Sequence, residues 1–355
     1  MPPPDPRPRA RAHGLTFGPI PTGEHNAITD VPGVGVGHVT VWHDGPDGIA
    51  RTGVTTIVPD DVASLFRRPM AAGTAVLNGA GELTGSLEVR EWGILETPIV
   101  LTATNAVGRG YDAVIDALFA AGVIDVVIPV VGECDDSWLD DIARRWVTTA
   151  DVRAAIDAAA AGPVAEGAVG AGTGMVTMGH KAGIGTSSRV LDGLGTVGVL
   201  LLANFGSAAN LRIGGVPVGA ALAGGRPTSA ANDDGGSCIG VVASDIALDA
   251  RQLERVARRI GLGLARVGSV AHDGSGEIFC AVSTSNRRPR DASGLIEQAT
   301  LVGAAIDDVF AAVVDATEEA VTNALFVADT VTGVDGHTAP GLPVDRVLAL
   351  IRQSV

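Results

Sequence analysis

The sequence predicts a mixed α/β domain, of the α/β or α+β kind. Short apolar β-type runs alternate with helix-period segments along the whole chain. Hydrophobic residues make up 46% and charged residues 18%, which suits a large buried core and excludes a disordered chain. Glycine supplies 48 of 355 residues, about twice its usual share of about 7%, without a collagen period. A chain of 355 residues allows one large domain or two ordinary ones. No linker divides two separate cores and no fixed-period repeat is present.

Residues 1–13 are Pro- and Arg-rich and read as a disordered tail, with a single domain over 14–355. Residues 34–41 read as a strand, 55–58 and 75–77 as short strands and 98–104 as another. Residues 107–121 have helical spacing and feed the apolar run 123–131, expected to be a buried strand. Residues 151–161 form an Ala-rich helix. Residues 162–188 are glycine-rich with little helical signal, and 196–205 read as a central strand. The stretch 224–236 is polar and rich in breakers, an exposed loop that runs straight into the apolar β-type run 237–243. Asp249 can cap the next helix with Gln252 as its capping-box partner, and Leu253, Val256 and Ile260 share a face of it. Residues 277–284 read as a strand, 301–325 as a long amphipathic helix and 345–352 as a final short one.

The formal charge is −15, from 25 basic and 40 acidic residues, so a nucleic-acid backbone is a poor partner. Aromatics at 3% are too few for a base-stacking platform. Nearly all the basic residues are arginine, and Lys181 is the only lysine. Cys134, Cys238 and Cys280 give neither a disulfide framework nor a zinc pattern, which fits a reducing, cytoplasmic setting. The N-terminus has no apolar signal core, and no apolar run is long enough to span a bilayer. None of the seven histidines forms a metal-binding pair on one helix, so no metal and no cofactor is expected. Gly33-Val-Gly35-Val-Gly37 and Gly170-Ala-Gly172-Thr-Gly174 do not complete a dinucleotide fingerprint and read first as structural turns, with a phosphate cradle as the alternative.

Chemistry concentrates at a few polar positions. Ser237 stands where a polar loop meets a buried strand, and Gly236 leaves its own carbonyl unobstructed. If the chain breaks at this bond, the new α-amine, with a reference pKa of about 7.7–8.0, can act as the base for its own hydroxyl. The bland alternative is a loop entering a strand. In Asp273-Gly-Ser275-Gly-Glu277 the i, i+2 spacing puts a hydroxyl and a carboxylate on one face of an extended chain, as a proton relay or a polar turn. Asn204 ends an apolar run, as an oxyanion donor or a strand cap. Glu133 follows another, where it either holds an ammonium ion or is an ordinary loop carboxylate. Cys238 is either a small core residue or a competing nucleophile.

Seven segments together resemble the family of L-aminopeptidase/D-Ala-esterases and β-peptidyl aminopeptidases. They are Asn26-Ala-Ile-Thr-Asp-Val-Pro-Gly-Val-Gly-Val-Gly-His38, Leu77-Asn-Gly-Ala-Gly-Glu-Leu-Thr-Gly85, Gly170-Ala-Gly-Thr-Gly-Met175, Lys181-Ala-Gly-Ile-Gly-Thr-Ser-Ser-Arg189, Gly236-Ser237, Val241-Val-Ala-Ser-Asp245 and Ser275-Gly-Glu-Ile-Phe279. The resemblance implies a four-layer α-β-β-α sandwich with two mixed sheets, similar to ornithine acetyltransferases. It implies a precursor that cleaves itself between Gly236 and Ser237 into fragments 1–236 and 237–355, which stay together as an αβ unit within a homotetramer. It makes Ser237 the nucleophile, Ser275 and Glu277 its polar partners, Asn204 the oxyanion-hole side chain and Glu133 the carboxylate for the substrate ammonium. Asp135 stands where the family often has Tyr, and an added carboxylate there would favour cationic substrates. The expected activity is cofactor-free removal of N-terminal residues from short peptides, amides or esters through an acyl-enzyme. The alternatives are an acyltransferase of the ornithine acetyltransferase type, whose nucleophile is usually Thr, and a non-catalytic metabolite-binding protein on an uncleaved chain.

Overall fold

A computed structural model describes residues 7–222 and 235–354. In chain order, β1 (Gly35–Gly45) and β2 (Gly48–Val58) make a hairpin, and α1 (Val62–Arg67) leads to β3 (Met70–Gly79). Then come α2 (Ser86–Trp92), β4 (Ile94–Leu95), β5 (Ile99–Ala103), α3 (Val107–Ala120), β6 (Val130–Cys134) and α4 (Thr149–Asp157). A small hairpin of β7 (Val176–Thr177) and β8 (His180–Lys181) precedes β9 (Ile184–Leu191), β10 (Gly195–Asn204) and α5 (Val218–Leu222). The rest is β11 (Gly235–Ser244), α6 (Ala250–Ala257), α7 (Arg259–Arg266), β12 (Gly274–Arg287), α8 (Ala305–Val327), the short pair β13 (Val331–Thr332) and β14 (Thr338–Ala339), and α9 (Val344–Ser354).

Two mixed sheets carry the fold, ordered β1-β2-β5-β6 and β4-β3-β12-β11-β10-β9. Each strand alternates its side chains between two layers, because its period is two. On β11, Ile239, Val241 and Ala243 pack with Leu101 and Val131 of the smaller sheet. Cys238 and Val242 instead pack beneath α6, α7 and α8, with Leu253, Ile260 and Val313. The outer helices cover the far face of each sheet, α3 and α4 on one and α6 to α8 on the other. This is the four-layer sandwich that the resemblance implied.

Asp249 caps α6 and shares a capping box with Gln252, as the spacing predicts. The helix divides at Arg258, so Leu253 and Val256 lie on α6 and Ile260 on α7. The run 123–131 departs from expectation: only Val130 and Val131 of it are in β6, and Ile124 and Val126 are 77% and 81% exposed. Pro129 has no N–H to give a ladder and disfavours helix at Ile128, so the strand starts just after it. The glycines of 33–37 serve packing: a Cβ on Gly37 would stand 2.0 Å from the Ala155 carbonyl of α4. The breaker-rich loop lies almost wholly outside the described residues, with Gly235 and Gly236 already in β11.

The expected tail is ordered from residue 7, and residues 1–6 lie outside the described part. Its arginines find buried acceptors. Arg9 pairs with Glu166 at 2.7 Å, and Arg11 grips both Glu319 carboxylate oxygens at 2.6 and 2.7 Å. Glu319 on α8 also meets Arg189 of β9 at 2.8 Å and accepts from Asn26 Nδ2 at 2.6 Å. Arg189 and Glu319 are both fully buried. Burial opposes the Glu319 charge, yet the bonds and charges of Arg11 and Arg189 hold its carboxyl below the ordinary value. Glu319→Ala leaves the Arg189 guanidinium buried and uncompensated. It is expected to lower stability by about 3–5 kcal/mol, read from a denaturant or thermal melt. A loss under about 1 kcal/mol would show that the cluster is not a keystone.

Candidate active site

Ser237 is the third residue of β11, between β10 and β12. It is 4% exposed, and its Oγ has no hydrogen-bond partner among the described residues. Its side chain shares the inter-sheet face of Ile239 and Val241, with the Cys134 thiol as a polar neighbour. In the antiparallel ladder Asn204, the last residue of β10, stands directly opposite Ser237. Such paired side chains start about 4.5–5.5 Å apart. Asn204 is held at both ends: its Oδ1 accepts from Val176 N at 2.8 Å, and its Nδ2 donates to the Asp135 carbonyl at 2.8 Å. Among the described residues Nδ2 has no second acceptor, and the Asn204 side chain shares the Ser237 face of the sheet by its place in the ladder.

The parallel ladder with β12 pairs Gly236 with Ser275, Ser237 with Gly276 and Cys238 with Glu277. Ser275 and Glu277 therefore project to the helix side of the sheet, opposite to the Ser237 hydroxyl. They flank the Gly236–Ser237 peptide itself. Ser275 Oγ donates to Glu277 Oε1 at 2.5 Å, and both residues are 1% exposed. Glu277 Oε2 has no partner among the described residues. Burial raises the Glu277 pKa, against the bond from Ser275 and the charge of His272.

Gly236 has φ +147°, a region that L side chains avoid, and a Cβ there would stand 2.4 Å from the Asn204 carbonyl. Only glycine fits the residue before Ser237.

Glu133, on β6 of the facing sheet, is 4% exposed. Its Oε1 accepts from Glu82 N at 2.9 Å and its Oε2 from the Thr104 hydroxyl. Burial raises its pKa, the two hydrogen bonds opposing. A Cβ added to Gly81 would sit 3.0 Å from Glu133 Oε1 and 3.6 Å from Gly276 Cα. So Gly81 lies between Glu133 and Gly276, the residue paired with Ser237, with Ile278 Cδ1 beside it. The exposed Asp135 carboxylate accepts from Ser137 N and Oγ at 2.8 and 3.0 Å, and its backbone carbonyl holds Asn204. Cys238 is fully buried among helix-side apolar residues, and burial keeps its thiol protonated, so it is a core residue.

Sequence reasoning missed Thr104 and the Val176 amide. Thr104 had a signal, a hydroxyl at the carboxyl end of a strand beside the one that carries Glu133. Val176 had none, because a backbone donor leaves no mark on residue type.

The arrangement gathers an unpartnered hydroxyl, a pre-oriented amide, a hydroxyl–carboxylate pair and a second buried carboxylate. No imidazole is bonded to the hydroxyl among the described residues. The model of peptidase family S58 matches residues 26–339. The chain is 41% identical over 373 aligned positions to the beta-peptidyl aminopeptidase BapA of Sphingosinicella microcystinivorans, covering 98% of this chain and 92% of that protein. It is similar to the solved beta-aminopeptidase of a Burkholderia species, with 40% identity, TM-score 0.90, and 98% and 99% of the two chains covered. It is also similar to the L-aminopeptidase D-Ala-esterase/amidase of Ochrobactrum anthropi, described as a prototype for the serine aminopeptidases and a variant of the Ntn hydrolase fold. That match has 38% identity, TM-score 0.88, and 98% and 99% coverage. A match of this length in sequence and of this closeness in fold makes the chain a member of peptidase family S58 and a peptidase.

Proposed function

We propose that the chain is a self-processing N-terminal serine aminopeptidase that hydrolyses short peptides, amides or esters bearing a free amine. The observation that carries this reading is the Gly236–Ser237 peptide, set between Asn204 on one ladder and Ser275 on the other. In processing, Ser237 Oγ attacks the Gly236 carbonyl carbon. The C–N bond breaks, an ester forms on Oγ, and the Oγ proton ends on the released amine. Water then hydrolyses the ester and leaves Ser237 with a free α-amine. In turnover that amine takes the Oγ proton as Oγ attacks the substrate carbonyl, and passes it to the leaving group. Asn204 Nδ2 stabilises the oxyanion. Ser275 and Glu277 lie beside the nitrogen rather than the hydroxyl, so they hold and tune the α-amine. Glu133 binds the substrate ammonium across the glycine gap.

The relatives' names support β-amino-acid peptides, peptides with an N-terminal L-residue and D-alanine esters or amides as first substrates. The fragments 1–236 and 237–355 remain one αβ unit, since β11 is a central strand with wholly apolar inner residues, and such units assemble as a tetramer. Burying each Ile or Val of β11 is worth roughly 1.5–3 kcal/mol. The three buried, unpaired thiols support a cytoplasmic setting. No helix among the described residues is long and apolar enough to cross a membrane.

Intact mass and N-terminal sequencing of purified protein are expected to show two fragments, the second starting at Ser237, and Ser237→Ala is expected to remain one species. A single uncleaved species that still hydrolyses amino-acid amides would overturn the self-processing mechanism.

Glu133→Gln is expected to spare self-cleavage, which presents no ammonium to this site. It should weaken turnover of free-amine substrates by about 2–5 kcal/mol in kcat/KM. Because burial raises the Glu133 pKa, the ionised, amine-binding form is lost as pH falls through a value above the ordinary 4.5. The acid limb of kcat/KM that this produces is expected to vanish in Glu133→Gln. Equal loss of both activities would mark Glu133 as a folding residue.

Ser275→Ala and Glu277→Gln are each expected to lower kcat about 10²–10⁴-fold in cleaved protein. The double variant should be little worse than either single, since each removes the same support of the α-amine. Fully multiplicative losses in a double-mutant cycle would show two independent contributions.

A further inference from the structure

The chain's only lysine is one of its most deeply buried side chains. Lys181, on β8, is 0% exposed. Its Nζ donates to three backbone carbonyls, Gly172 at 2.8 Å, Met175 at 2.7 Å and Ala182 at 2.6 Å. Three acceptors match the three protons of an ammonium group, whereas a neutral amine has only two to give. No carboxylate pairs with it among the described residues, and burial alone drives its pKa well below the ordinary value. An unpaired buried charge is expensive to hold, and the fold places it at one spot.

That spot adjoins the site through a single peptide unit. The Met175 carbonyl that accepts from Lys181 belongs to the same peptide as the Val176 N–H, and that N–H donates to Asn204 Oδ1 at 2.8 Å. The chain of bonds runs from Lys181 Nζ to the Met175–Val176 peptide, to Asn204 Oδ1, and through the conjugated amide to Nδ2. A positive charge on a peptide oxygen draws electron density from its nitrogen and makes its N–H a stronger donor. A stronger bond at an amide oxygen does the same to that amide's own N–H groups, and hydrogen bonds in series reinforce one another in a low-dielectric interior. The same lysine also binds the Gly172 carbonyl, within the tight turn Gly170–Gly174, which fixes where Val176 N points.

We infer that Lys181 is a positioning residue for catalysis, a buried cation that orients and polarises the Asn204 side chain through the Met175–Val176 peptide and so strengthens its donation to the oxyanion. This rests on the reading of Asn204 as the oxyanion donor.

The test uses full-length, self-processed protein and a β-aminoacyl amide substrate, with an aminoalkyl boronic acid as the probe for tetrahedral geometry. Lys181→Met removes the charge at similar volume. It is expected to lower kcat about 10-fold with KM within about 2-fold, and to weaken boronate binding by the same factor as kcat/KM, whereas removing an oxyanion donor outright costs about 10²–10³ in kcat. Lys181→Gln keeps an N–H donor without the charge. It is expected to fall between parent and Met variant, and it takes over the test if the Met variant does not fold. The double variant Lys181→Met/Asn204→Ala is expected to match Asn204→Ala alone. Parent-like kcat in a folded Lys181 variant, or a loss that multiplies with Asn204→Ala, would overturn the proposal and leave the oxyanion assignment standing. Parent-like kcat and boronate affinity in Asn204→Ala would overturn both.

Discussion

The pairing of β11 with two neighbours at once is the constraint on which the rest depends. It runs antiparallel to β10 and parallel to β12, with Asn204 opposite Ser237 on one side and Gly236 beside Ser275 on the other. A slip of one residue would turn Ser237 into the helix layer and bring Cys238 into the inter-sheet face. Every side chain of the inner run is committed to one core or the other, so such a slip would also exchange Ile239 and Val241 with residues sized for the opposite layer. The packing of two cores thereby holds the serine in place. Among the described residues Oγ has no hydrogen-bond partner, so its position comes from the strand and not from a bond of its own.

Buried polar groups fall into two kinds. The cluster of Arg11, Arg189, Glu319 and Asn26 ties the N-terminal segment, β9 and α8 together, and the Glu319 carboxylate is gripped from three sides. Under the proposed cleavage these partners lie on different fragments, so the cluster also fastens the αβ unit. The site groups leave whole functional oxygens open. Among the described residues Ser237 Oγ and Glu277 Oε2 are buried without a hydrogen-bond partner, as is Arg189 Nε within the cluster. Leaving such atoms unsatisfied costs stability, and under the proposed roles the return is a set of donors and acceptors reserved for substrate, oxyanion and a released amine.

Much of this was legible in the residues. The capping pair Asp249 and Gln252 and the i, i+2 pair Ser275 and Glu277 are local, and local chemistry shows in spacing. Ser237 stood out because a polar loop meets an apolar strand there. Two misreadings share one cause. The run 123–131 looks like a strand by hydropathy, but Pro129 removes a ladder donor and the segment before it lies on the surface. The Arg-rich start looks like a tail by composition, but its partners Glu166 and Glu319 are far off in sequence. Which face of the sheet Ser275 and Glu277 occupy relative to Ser237 was not legible, because it follows from strand pairing and not from either segment alone.

Glycine abundance acquires a specific meaning at the site. A Cβ on Gly276 would stand 2.6 Å from the Ala80 carbonyl, and one on Gly81 would stand 3.0 Å from Glu133 Oε1. The two residues are therefore the floor between the serine and the buried carboxylate, and neither can carry a side chain without filling the space or displacing its neighbour. Under the proposed roles this floor sets reach. A substrate whose ammonium rests on Glu133 must present its first carbonyl to Ser237 past Gly81 and Gly276. The Asp135 carboxylate, by contrast, is exposed and already bonded to Ser137.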